Sequence, residues 1–159
     1  MNSWQKDIWH FHRASGTPAP DQVSYPSAED IERRKKLIAE EAKETCDALQ
    51  KLKEIRDRVN QTTEAKDYRE NIDLQLKAQD ALREVVDGLV DTVVVVLGTA
   101  VEMGVDLDPA WAEVHLTNMA KYPYHKNEWG KVLKPEGWTP PDIPLVPQSG
   151  KTLGKALGL

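Results

Sequence analysis

The sequence predicts an all-α fold, and three observations carry that prediction. In Ala81–Gly104, ALREVVDGLVDTVVVVLGTAVEMG, the acids Glu84, Asp87 and Asp91 sit at i, i+3 and i+7. On a helix that spacing gathers them within about 60° of one another. Val86, Leu89, Val90, Val93 and Leu97 fill much of the other side and read as a core-facing stripe. In Leu37–Leu49, LIAEEAKETCDAL, a second acidic group repeats at helical spacing, with Glu40 and Glu44 at i, i+4 and Glu41 and Glu44 at i, i+3. Helix signals also punctuate the chain: Ser27-Ala-Glu-Asp30 resembles a capping box, Gly104 suits a C′ position, and Asp108-Pro109 reads as an N-cap followed by proline at the first helical position.

Taken in order, Trp4–Arg13 is a first helix with Asn2 or Ser3 as its cap. Trp4, Ile8 and Phe11 recur at helical spacing and are expected to pack on the body. Gly16–Pro26 is a loop, because its three prolines forbid a regular helix. The helix opened at Ser27 should run from about Ala28 to about Asp57, with Ile31, Ile38, Ala42, Leu49 and Leu52 inward. Residues 50–80 read as a polar helical insertion: VNQTT is a weak break, and Thr63 is placed to cap a further helix through Glu64–Lys77. The central helix follows. Its four valines, Val93–Val96, suit a strand by propensity alone, but helical spacing continues through Leu97, Ala100 and Val101. Trp111–Lys121 is the last helix. Prolines and glycines after Tyr122 make loop, and residues from about 143 to 159 form a C-terminal tail whose Gly-Lys-Thr lacks the rest of a P-loop.

Composition narrows the function. The 159 residues suit a single domain, and 40% hydrophobic with 30% charged residues is a globular balance. One Phe means that aliphatic residues supply most of the core. A net charge of −5 argues against a nucleic-acid binder, which would show a basic surface. Cys46 is the only cysteine and reads as a small core residue, so an intrachain disulfide is excluded. Together with the lack of a signal peptide, this leads us to expect a cytoplasmic setting. The uncharged run Thr92–Val101 is ten residues, against roughly 20 needed to span a bilayer, so no membrane partner is expected.

Acids beside a core stripe need an explanation, because a buried carboxylate is costly unless it is paired, hydrogen-bonded or metal-bound. A solvated acidic face, aided by Lys36 and Lys43, is the plain account of Glu40, Glu41 and Glu44. The alternative is that two antiparallel helices bring five carboxylates to one spot. An all-oxygen set suits Mg²⁺, with Mn²⁺ as a substitute, bound together with substrate phosphates. A di-iron oxidase would need Glu-x-x-His pairs, and His10, His12, His115 and His125 all lie outside these helices.

These residues resemble a known family. E-E-x-x-E at 40–44, E-x-x-D at 84–87, the run DGLVDTVVVVLGTAVEMGVDLDPAWAEVHLTNMAKY and GKVLKPEGWTPPD at 130–142 look like the phage-type branch of the MazG-like, all-α nucleoside triphosphate pyrophosphohydrolases; DIWHFHRASG matches more loosely. Between Glu44 and Glu84 lie 39 residues (84 − 44 − 1), more than short members have. The resemblance implies a MazG-like bundle, homodimeric or homotetrameric, in the host cytoplasm if phage-encoded. It implies Mg²⁺-dependent attack at the α–β linkage of a nucleoside triphosphate, giving monophosphate and pyrophosphate.

Carried over by position, Glu44, Glu84 and Asp87 are metal ligands, with Glu41 also in the ligand set and Asp91 a distal ligand or second contact. Glu40 or Glu41 orients the water, and the sequence does not choose between them. Asn118 and Lys121 match the family's phosphate and sugar contacts, and Lys131 and Lys134 are placed to close over phosphates; ordinary solvated charge is their plain account. The resemblance puts the base near Asp7, Trp9 and His12, with Trp138 as a cover. It favours a purine, dGTP or GTP, as in the MazZ type. A dUTPase or a broad house-cleaning dNTP pyrophosphatase shares the same acids. Phosphoribosyl-ATP is disfavoured because the phage-like match extends beyond those acids. A non-catalytic helical interaction module is the reading from another class.

Overall fold

The computed structural model describes residues 1–62 and 68–149. In chain order these form α1 (Ser3–Ser15), α2 (Ala28–Thr62), α3 (Tyr68–Glu102), β1 (Val105–Asp106), α4 (Leu107–Met119) and β2 (Val146–Pro147). The fold is all-α, with a single two-residue antiparallel strand pair, β1 with β2. No helix among the described residues is long and apolar enough to cross a membrane. The chain divides into two compact units, residues 26–99 and residues 1–25 with the chain from 100 onward.

The unit of residues 26–99 holds α2 and most of α3. Ser27 opens α2 much as the sequence suggests: its hydroxyl accepts from the Asp30 N–H at 3.1 Å and donates to the Asp30 carboxylate at 2.6 Å. The helix runs five residues past Asp57. The further helix expected to end at Lys77 and the central helix after it are one element, because α3 is continuous from Tyr68 to Glu102. No Gly or Pro lies between Tyr68 and Asp87 to interrupt it. The proposed Thr63 cap and the start of the Glu64–Lys77 helix fall outside the described residues.

The two helices pack antiparallel. Thr45 Oγ1 lies 3.0 Å from Thr92 Oγ1, and Lys51 Nζ lies 2.6 Å from Glu84 Oε1, so one number falls as the other rises. Gly88 sets their closest approach. A Cβ built there would stand 2.9 Å from Thr45 Oγ1 and 3.1 Å from Thr45 Cα, so only glycine fits without displacement.

This seam corrects the expected core stripe. Val86, Leu89, Val90 and Val93 are 53%, 51%, 55% and 37% exposed, and of the stripe only Leu97 is buried. Leu74, Ala81, Val85 and Val95 are buried instead, at spacings of seven, four and ten that fall on another face. At the close contact the side chains are small, Thr45 on α2 against Gly88 and Thr92 on α3, and Val86, Leu89, Val90 and Val93 are turned away from it. On α2, Thr45 and Arg34 are buried while Ile31, Ala42, Cys46 and Leu49 are exposed. Cys46 is therefore not a core residue.

In the other unit, Asn2 caps α1 by accepting from the Gln5 N–H at 2.8 Å. Gly16, at φ 75°, ends the helix, its N–H returning to the His12 carbonyl. Trp4 and Phe11 are exposed, not packed as expected; Gln5 and His12 are the buried side chains of α1. Gln5 is buried because it is fully used. Its Nε2 donates to the Val105 carbonyl at 2.6 Å, and its Oε1 accepts from the Leu107 N–H at 3.1 Å. α4 begins at Leu107, with Asp106 as N-cap in place of the expected Asp108; the Asp106 carboxylate accepts from the Asp108 N–H at 3.1 Å. Gly104, at φ 67°, is the turn after α3, as its sequence position suggested. Its carbonyl receives the Gln148 N–H at 2.9 Å, and Ser24 donates to the neighbouring Met103 carbonyl at 2.9 Å.

Candidate active site

The antiparallel register of α2 and α3 determines which acids meet. Glu84, Asp87 and Asp91 each immediately precede a residue of the seam, Val85, Gly88 and Thr92. They therefore line the edge of the helix contact, opposite the Glu44–Lys51 segment of α2. A groove of about 350 Å³ is lined there by Glu44, Asp47, Ala48 and Lys51 from α2 and by Glu84, Asp87, Gly88 and Asp91 from α3.

The electrostatics of this groove are unbalanced. The Glu41 carboxyl is held above its usual range by partial burial, then by the charges of Glu44, Asp91, Glu40 and Asp87 in that order. Four acids thus act on Glu41; Glu84, one of the five that the sequence motifs grouped, is not among them, and Asp91 is. Glu40, Glu41, Asp87 and Asp91 have no cation partner among the described residues, and Glu44 has only the electrostatic attraction of Lys43 beside it. Glu84 differs, because Lys51 Nζ contacts both of its oxygens, at 2.6 and 2.7 Å.

The donor set suits a hard divalent cation: it is all oxygen, and neither His nor Cys lines the groove. Among the described residues no three His, Cys, Asp or Glu side chains already close around one point. The carboxylates stand apart, as like charges do. The fit therefore rests on donor chemistry and uncompensated charge, not on a ready-made cage.

The other sequence-proposed residues all belong to the unit of residues 1–25 and 100 onward. Asn118 Oδ1 accepts from Lys121 Nζ at 2.6 Å. The Trp138 indole N–H donates to the Thr117 carbonyl at 2.9 Å, fixing the ring beside the end of α4. Lys121 and Lys134 place their ammonium groups over that ring, 5.5 and 4.4 Å from its centroid. Asn118, Lys121, Lys134 and Trp138 thus form one cluster with two cations at its rim. Lys131 is exposed; its backbone N–H is held at 2.9 Å by the Asn127 side chain, which shapes the turn before it. On α1, Trp9 meets the His10 ring edge-on at 4.9 Å and carries the Arg13 guanidinium 4.7 Å from its centroid. Asp7 is exposed, and the buried His12 has Nδ1 3.3 Å from the Pro18 carbonyl oxygen.

Sequence reasoning passed over Lys51, Gly88 and the Thr45–Thr92 pair. Lys51 was findable, because it lies seven residues after Glu44 and so shares its helix face. A family model described as phosphoribosyl-ATP pyrophosphohydrolase matches residues 10–118, a span that holds the five acids of both motifs and Asp91. A search of curated proteins found no match.

Proposed function

The chain belongs to the phosphoribosyl-ATP pyrophosphohydrolase family, and we propose that it hydrolyses a purine nucleoside triphosphate, dGTP or GTP, between the α- and β-phosphates. The observation that carries this reading is the acidic seam of α2 and α3, where four carboxylates act on Glu41 and none of the five is held in an ion pair among the described residues. Glu44, Glu84 and Asp87, with Glu41, would hold Mg²⁺ or Mn²⁺, and Asp91 would act from one turn further along α3. Bound there, such an ion supplies charge neutralisation at the phosphates and a lowered pKa for a coordinated water.

The chain's own residues do the rest. Glu40 or Glu41 orients the attacking water. Asn118, Lys121 and Lys134 are assigned to phosphate and sugar, because both ammonium groups already lie against the Trp138 ring in advance of binding. That arrangement makes Trp138 a platform for the lysines as well as a cover for the base. Lys131, on the exposed turn after Asn127, would close over the phosphates. Asp7, Trp9 and His12 remain our proposal for the base contacts. The purine preference rests on the phage-type resemblance of Asp87–Tyr122 alone.

The family match favours a second reading, phosphoribosyl-ATP itself. One experiment separates the readings: pyrophosphate release from dGTP, dATP, dUTP, dCTP and phosphoribosyl-ATP, with and without Mg²⁺. We expect dGTP to lead, with no release in the metal-free arm. A tenfold lead for dUTP overturns the purine assignment, and a tenfold lead for phosphoribosyl-ATP establishes the second reading. Absence of release from every substrate would leave the non-catalytic interaction module.

We also propose that the chain is a homodimer or a dimer of dimers. Leu82, Val86, Leu89, Val90 and Val93 expose a continuous apolar stripe on α3 that water covers poorly. Sedimentation at micromolar concentration should give a multiple of the 17.9 kDa chain mass. A monomer mass with full activity contradicts the proposal.

A further inference from the structure

Lys51 is the one cation lining the acidic groove among the described residues, and it is spent on a single carboxylate. Both Glu84 oxygens accept from its ammonium, at 2.7 Å or less, across the helix contact. With both oxygens turned to the ammonium, the Glu84 carboxylate has only its outward lone pairs to offer a second cation. The remaining acids, Glu41, Glu44, Asp87 and Asp91, carry no such partner. The charge of Lys51 is thus directed at one acid, not spread over the cluster. Neighbouring Lys43 behaves differently, bridging to Asp47 at 2.5 Å on its own helix.

We propose that Lys51 is an internal counter-cation that competes with the divalent ion for Glu84, an inference that rests on the divalent-cation reading above. In the metal-free chain the ammonium holds Glu84 toward α2. Loading the groove with a divalent cation requires Glu84 to exchange one cation for the other. Lys51 is therefore a positioning residue, acting through Glu84. Both partners are about half exposed, so solvent screens the pair and the exchange is a small, reversible cost.

The test uses the full chain. Mn²⁺ is titrated at about 0.01 M ionic strength, where screening is weak, with free Mn²⁺ read by electron paramagnetic resonance. We expect Lys51→Met to bind Mn²⁺ about two- to fivefold more tightly, the range open to an exposed ion pair. Lys43→Met should show no comparable gain, and in a Glu84→Gln background Lys51→Met should show none. A second measurement needs no variant: acetylation of the Lys51 amine by an N-hydroxysuccinimide ester, followed by mass spectrometry, should speed up when Mg²⁺ is added. Equal gains in the Lys51 and Lys43 variants would mean a bulk charge effect and overturn the competition. So would unchanged or weakened Mn²⁺ binding in Lys51→Met, or Mg²⁺-independent acetylation while wild type binds the ion. If wild-type protein takes up no Mn²⁺ at all, the divalent-cation reading falls, and the competition falls with it.

Discussion

An Asp87→Ala protein should lose at least about 10²-fold in kcat on the best nucleotide substrate, in line with loss of metal-assisted stabilisation, and should fold as well as wild type. The two halves of that expectation have separate grounds. Asp87 is exposed, lines the groove and has no cation partner among the described residues, so truncation opens no cavity and orphans no ion. Its charge is one of those that raise the Glu41 carboxyl, so removing it relieves repulsion in the metal-free chain. Alanine also favours the helix more than aspartate does. Melting temperature without divalent ions should therefore stay level or rise while turnover collapses. Full turnover by the variant would remove Asp87 from the catalytic set. Loss of turnover together with loss of fold would make it a structural residue. Only the opposed response fits a group kept in a repulsive position for chemistry.

That opposition also shows which features the sequence made legible. Charge was easy to read: acids at i, i+3 and i+7 share a face whatever packs against it, and Glu41 does feel Glu44, Asp87 and Asp91. The all-α class, the Ser27 start of α2 and the Gly104 turn followed from local rules of the same kind. The choice between two apolar faces was harder. Val86, Leu89, Val90 and Val93 are the obvious core by hydrophobicity, but the contact went to Ala81, Val85, Gly88 and Thr92, where α2 comes closest. Bulk at a contact depends on how near the partner helix lies, and distance is not encoded in a hydropathy pattern. Lys51 was missed for a related reason: its partner Glu84 is 33 residues away, and the pair appears only once the antiparallel register is known. The N-cap of α4 moved from Asp108 to Asp106 because either acid satisfies the local rule. Asp106 lies in β1 and is buried, so its position is fixed by that pairing.

Gly104→Ala should cost the most stability of any single-methyl change we can point to in the unit of residues 1–25 and 100 onward. At φ 67° an L-residue pays about 1 kcal/mol or more for the left-handed backbone. The added Cβ would also stand 2.0 Å from the Gln22 carbonyl oxygen, 2.7 Å from its carbon and 3.0 Å from the Pro20 oxygen. All three are backbone atoms, so no side-chain rotation relieves the overlap and the loop itself must move. That loop is tied down on both sides of Gln22: Gln148 Nε2 donates to the Pro20 carbonyl, and Ser24 donates to the Met103 carbonyl. Overpacking of about 1–3 kcal/mol and about 1 kcal/mol for each hydrogen bond broken bring the total to about 3 kcal/mol or more. For a chain of this length that lowers the melting temperature by roughly 6–12 °C. Gly137→Ala is the matched control, because Gly137 has φ 77° with nothing within 4 Å of the added methyl. It carries the backbone strain without the collision and should cost only about 1 kcal/mol. Thermal melts of the two variants followed by circular dichroism decide the matter. If Gly104→Ala melts within about 2 °C of Gly137→Ala, less than one kcal/mol separates them. The close packing of Gly104 against the 20–22 backbone would then contribute nothing, and glycine would be needed there for its backbone angle alone.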